Sequence, residues 1–79
     1  MTSFDEVKNA LGISGVYLDN TLLVHYDEVI SFLIDAGVSE NNITTGIVAR
    51  GVSDLWNYGS GAGRLSEYFY ERAKQLSLR

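Results

Sequence analysis

The sequence predicts an all-α domain, a compact antiparallel bundle of four helices joined by short loops. Three observations carry this reading. No proline interrupts the 79 residues. Apolar side chains recur three and four positions apart instead of alternating. Glycines fall where helical stretches end. Helices are expected over residues 3–11, 20–36, 44–58 and 66–77.

The first helix opens on Ser3-Phe4-Asp5-Glu6, a capping-box pattern in which Ser3 accepts from the Glu6 amide while Glu6 reaches back. Phe4, Val7, Ala10 and Leu11 share one face, and Gly12 is the stop. Ile13 to Leu18 reads as a loop anchored by its apolar side chains, with a short strand at Val16 to Leu18 as the alternative. Asp19, Asn20 or Thr21 then supplies the cap of the second helix. Its stripe runs Leu22, Leu23, Tyr26, Val29, Ile30 and Leu33, and Val24, His25, Phe32 and Ile34 widen it. So broad a stripe predicts burial on more than one side, as for the central helix of a bundle.

Ser39-Glu40-Asn41-Asn42 fits one short helical turn capped by Ser39. Thr44 or Thr45 can cap the third helix, which carries Ile47, Val48, Gly51, Val52 and Leu55 inward and Arg50, Asp54 and Asn57 outward. Gly46 and Gly51 each cost about 1 kcal/mol relative to alanine inside a helix, so a close-approaching neighbour is expected at both. Gly59, Ser60, Gly61, Ala62 and Gly63 stop that helix and predict a flexible loop over 59–64. Ser66 caps the last helix, with Leu65, Phe69, Ala73 and Leu76 inward and Glu71, Lys74 and Gln75 outward.

Composition narrows the function classes. A chain this short forms one domain and buries only about 60–65 % of its unfolded surface, so partners can supply part of its stability. There is no cysteine, hence no disulfide framework, thiolate metal site or cysteine nucleophile. The acidic opening lacks a basic region before an apolar run, and no stretch approaches a membrane span, so a cytoplasmic protein without membrane contact is expected.

The net charge of −4 speaks against wrapping nucleic acid. Its distribution says more: residues 1–43 set Lys8 against seven acidic side chains, a net −6, whereas 44–79 hold five basic and three acidic ones, a net +2. Such halves can pair head to tail between copies and close into a ring, although ordinary surface scatter would look the same.

No catalytic or metal constellation emerges, and no enzyme activity or cofactor is expected. The glycine loop places Arg64 where a dinucleotide fingerprint needs glycine, and it lacks the Gly-Lys-Ser/Thr of a P-loop. His25 is the only histidine and has no ligand set around it in sequence. The neighbouring acids Asp5-Glu6 and Asp27-Glu28 point in different directions on a helix. Aromatics are more informative. Trp56 and Tyr58 precede the glycine loop, and Tyr68, Phe69 and Tyr70 follow it. Phe69 fits the core stripe, which leaves Tyr68 or Tyr70 outward beside arginine, a composition typical of interface anchors. Trp56 reads either as core filler or as such an anchor. The candidate interface is Trp56, Tyr58, Arg64, Tyr68 and Tyr70.

The run from Val48 through Arg50-Gly51-Val52-Ser53-Asp54-Leu55-Trp56 to Gly61 resembles the small head–tail connector (adaptor, or head-completion) proteins of long-tailed bacteriophages and Gram-positive prophages. Val7 to Ile13, Tyr26 to Ser39 and Leu65 to Phe69 with Arg72 and Gln75-Leu76 are similar to the same family. The resemblance implies a helical protomer that forms a ring of about twelve copies beneath the portal protein of the virion. Such a ring receives the next stopper or tail protein and passes DNA without reading its sequence. It also implies assembly in the host cytoplasm. Connectors of this type often grip the portal with a longer C-terminal extension, whereas this sequence closes at Leu76-Ser77-Leu78-Arg79 behind its last helix. The different-class alternative is a small monomeric adaptor or regulatory domain that binds one protein partner.

Overall fold

The computed structural model describes residues 2–56 and 65–79. Within them the chain is all-α: α1 (Phe4–Ala10), α2 (Asp19–Asp35), α3 (Thr45–Trp56) and α4 (Glu67–Ser77), with a single 3₁₀ turn at Glu40–Asn42. No strand occurs among the described residues, so Val16 to Leu18 is loop and not β.

Local chemistry sets most boundaries. Ser3 caps α1 in a full capping box with Glu6. Both α1 and α2 end in a Schellman motif on a left-handed glycine. Gly12 (φ 73°) donates to Asn9 and Ile13 to Lys8, and Gly37 (φ 92°) donates to Ile34 and Val38 to Leu33. Thr44 Oγ1 accepts from the Ile47 amide at 3.3 Å and so caps α3. Ser66 caps α4, accepting from the Phe69 amide at 3.2 Å.

The start of α2 departs from expectation. Its N-cap is Leu18, whose apolar side chain can make no capping hydrogen bond, and Asp19, now the first helical residue, pairs with Lys8 at 2.6 Å. Ser39 likewise makes no side-chain cap of the 3₁₀ turn.

The core consists of Val7 from α1, Leu22, Val29 and Leu33 from α2, Val38 and Ile43 from the connection, Ile47, Val48, Ala49 and Val52 from α3, and Phe69, Ala73 and Leu76 from α4. The central helix is α3, which packs against each of the other three. This corrects the expectation for α2. Its wide stripe is not wholly covered: Leu23, Val24 and Ile34 are exposed, and Ala10 of α1 is exposed as well.

The two α3 glycines also part company. A Cβ on Gly51 would sit 2.7 Å from Phe69 Cε2 and 2.8 Å from both Val29 methyls, so α2 and α4 close on α3 at that point. At Gly46 the same Cβ would meet only Thr44 Oγ1, at 4.0 Å, and no neighbouring helix requires it.

Candidate functional site

The α3–α4 face is built from two helical rows. Gly46, Arg50 and Asp54 follow one another at four-residue spacing on α3, and Tyr68 and Arg72 do so on α4. Asp54 joins them. Its Oδ2 accepts from both the amide (3.0 Å) and the hydroxyl (2.6 Å) of Ser66, fixing the start of α4 on α3. Its Oδ1 takes Arg50 Nε at 3.2 Å. Held in this way, the Arg50 guanidinium lies 5.2 Å from the centre of the Tyr68 ring, a cation–π contact at a half-exposed arginine. Thr44, Gly46, Ile47, Arg50, Tyr68 and Arg72 line an open groove between the helices. Arg72 is held by Gln75 at 3.0 Å and pairs with no carboxylate among the described residues.

Both Tyr68 (60 %) and Tyr70 (48 %) are exposed, where the sequence left one of the two outward. They do not form one patch. Two residues apart on a helix is about 200° of rotation. Tyr70 therefore turns to the α2 side, where its ring stands 5.5 Å from Phe32 and 6.1 Å from Phe69. Trp56 belongs to a third place. Half-buried against the core, it lines a shallow pocket with Leu11, Ile13 and Ser53 between α1 and α3. The remaining expected contact residues, Tyr58 and Arg64, and the glycine loop from Gly59 to Gly63 lie outside the described residues, as does the expected end of the third helix at Asn57 and Tyr58.

A second surface went unnoticed in the sequence. The α1–α2 connection displays Val16 (79 % exposed) and Tyr17 (94 %). Val16 and Tyr17 do not anchor this loop; Ile13 and Leu18, packed against the core, hold its ends, and Lys8 holds its middle. Its ammonium donates to the Gly15 carbonyl at 2.5 Å, pairs with Asp19 and sits 5.7 Å from the Phe4 ring centre. Asp19 Oδ1 is shielded from water and accepts no well-aligned hydrogen bond, so its stabilisation is Coulombic. The signal available beforehand was a lone cation among seven acids in the first half of the chain. Such a residue is readily recruited by carbonyls and carboxylates.

At the base of the bundle, Tyr26 donates to the Thr2 carbonyl at 3.2 Å and Thr2 shares a 2.6 Å hydroxyl contact with Thr45. Burial, followed by the charges of Asp27 and Glu6, pushes the Tyr26 phenol above its ordinary value. His25 is half-buried on α2, and no group of three or more potential metal ligands comes together among the described residues. No helix among them is long and apolar enough to cross a membrane. No family model matches the chain, and no curated protein or solved structure matches it.

Proposed function

We propose that this chain is a structural assembly subunit, a head–tail connector that forms a ring under the portal of a tailed virion and joins capsid to tail while DNA passes through. One observation supports the reading above the others. Exposed apolar and aromatic side chains stand on separate parts of one small bundle: Val16 and Tyr17 on the first connection, Leu23, Val24 and Ile34 on α2, and Tyr68 and Tyr70 on two sides of α4. Exposed apolar patches on a soluble domain commonly mark interaction surfaces. A subunit in a ring needs two lateral neighbours and axial partners above and below, and hence several such surfaces. An adaptor for one partner needs only one.

The resemblance of the sequence to connector proteins points the same way, and the acidic first half suits a subunit whose lumen must let phosphates slide past. The partners of this reading are further copies of the chain, the portal protein and a stopper or tail protein.

Native mass spectrometry across a concentration series tests it by counting copies directly. A single closed species of about twelve subunits is the expected result. A strict monomer that takes up one partner molecule in a one-to-one complex would replace the ring with the monomeric adaptor.

A further inference from the structure

The ring reading leaves open which surfaces of neighbouring copies meet. Helix α2 carries two lines of side chains. Leu22, Val29 and Leu33 point into the core. Leu23, Asp27, Ile30 and Ile34, at spacings of four, three and four, lie about 100° round the helix from them. On this outer flank Leu23 is 43 % and Ile34 46 % exposed, and Asp27 is exposed between them. Asp27 forms no ion pair with the described residues. The flank is thus an apolar strip with a negative charge set in it.

The α3–α4 groove has the complementary character: two arginines and the exposed Tyr68 ring, with Gly46 beside them. The two surfaces look in different directions. Phe32 touches Phe69 and Tyr70 of α4 at 5.5 Å, and Ile34, two residues on, is rotated by about 200° from it. One chain therefore cannot satisfy its own groove with its own flank, whereas successive copies can. Gly46 fits the same picture. Nothing inside the fold demands a glycine there, but a neighbour's side chain approaching the groove would.

We propose that the outer flank of α2 on one copy seats in the α3–α4 groove of the next, Asp27 meeting Arg72 while Leu23, one turn from Asp27, covers the Tyr68 ring, one turn from Arg72. The contact is head to tail and joins unlike surfaces, so it propagates from copy to copy. This inference rests on the ring reading, and it names the lateral contact of that ring.

The test uses two variants of the full chain, both altered at positions outside the buried core. A flank variant carries Asp27→Arg with Leu23→Asp, and a groove variant carries Arg72→Glu. Arg50 is spared because it shares Asp54 with the start of α4. Circular dichroism confirms that each variant folds, and sedimentation velocity reads the assembly state. Each variant alone should be monomeric at concentrations where the wild type assembles. Mixed, the two should form a dimer and nothing larger, because only one live flank and one live groove remain between them.

A groove variant that assembles as well as wild type while the flank variant does not would mean that flank meets flank, and would overturn the pairing. Two variants that both assemble normally would overturn it too, leaving the ring reading in place. A wild type that stays monomeric up to about 1 mM would overturn the pairing as a contact formed between isolated copies, and leave the ring to one templated by the portal. A variant that fails to fold is replaced by Gly46→Ala. That substitution should leave the monomer folded and weaken assembly at least about threefold, and unchanged assembly would count against the groove.

Discussion

The two connections that flank α2 begin alike and end as opposites. Each follows a Schellman motif on a left-handed glycine, Gly12 in one and Gly37 in the other. Each then carries apolar residues. The second turns Val38 and Ile43 inward, both 3 % exposed, and is held by the core itself. The first keeps Ile13 and Leu18 against the core at its ends but turns Val16 and Tyr17 outward, and its middle is held by a cation, Lys8, on the Gly15 carbonyl and the Asp19 carboxylate. The difference teaches what a polar anchor achieves in so small a domain. Where the backbone is fixed by charge, the apolar side chains of a loop are released from core duty and can be displayed.

The contrast can be broken most forcefully at Ile43. Ile43→Ala deletes buried methylenes with no solvent to replace them, so the loss of stability should reach about 2–5 kcal/mol in urea unfolding. The same truncation at Val16 should stay within about 0.5 kcal/mol. Equal losses at the two sites would show that Val16 too holds the first connection.

Lys8→Met comes next in size. It strands Asp19 and the Gly15 carbonyl, and a loss of about 1–3 kcal/mol is expected, with faster proteolysis confined to residues 13–18. A neutral result would remove the cation as the anchor.

The joint change Val16→Ser with Tyr17→Ser sharpens the comparison from the other side. Unfolding should be unaffected within about 0.5 kcal/mol, while binding to an assembly partner should weaken. A destabilised monomer would mean that the pair packs after all.

The smallest effect concerns Tyr26. Its folded phenol titrates above the unfolded one, so the neutral form contributes stability below the ordinary phenol range, and that contribution is lost as pH rises through the folded value. Thermal stability should therefore decline in alkali, and Tyr26→Phe should flatten the decline by removing the titrating bond to Thr2.

What the sequence disclosed and what it withheld divide along the range of the interactions. The Ser3–Glu6 box, the Ser66 cap, the stop at Gly12 and the Phe69-Ala73-Leu76 stripe all involve residues a few positions apart, and each was legible. The identity of the central helix was not. The broad stripe of α2 looked like the more buried one, but coverage depends on what lies opposite, and only part of the stripe has a neighbour. Gly46 and Gly51 were indistinguishable in sequence and are opposites in space. The candidate interface fared similarly. The sequence left Tyr68 or Tyr70 outward, and both are exposed. Their division between two sides, and the placing of Arg50 over Tyr68 from eighteen residues away, needed the packing of α4 against α3.

The crossing at Gly51 has a consequence for how the molecule comes apart. Because α2 and α4 both close on one side-chain-free position of α3, neither can lift away without exposing the backbone there. The amides of Val48 to Val52 should therefore exchange with deuterium only through complete unfolding, as the slowest in the chain. The seven-residue α1, with its single fully buried apolar side chain, Val7, should exchange first. A strained subunit would then yield from its N-terminal end, while the three helices around Gly51 hold together.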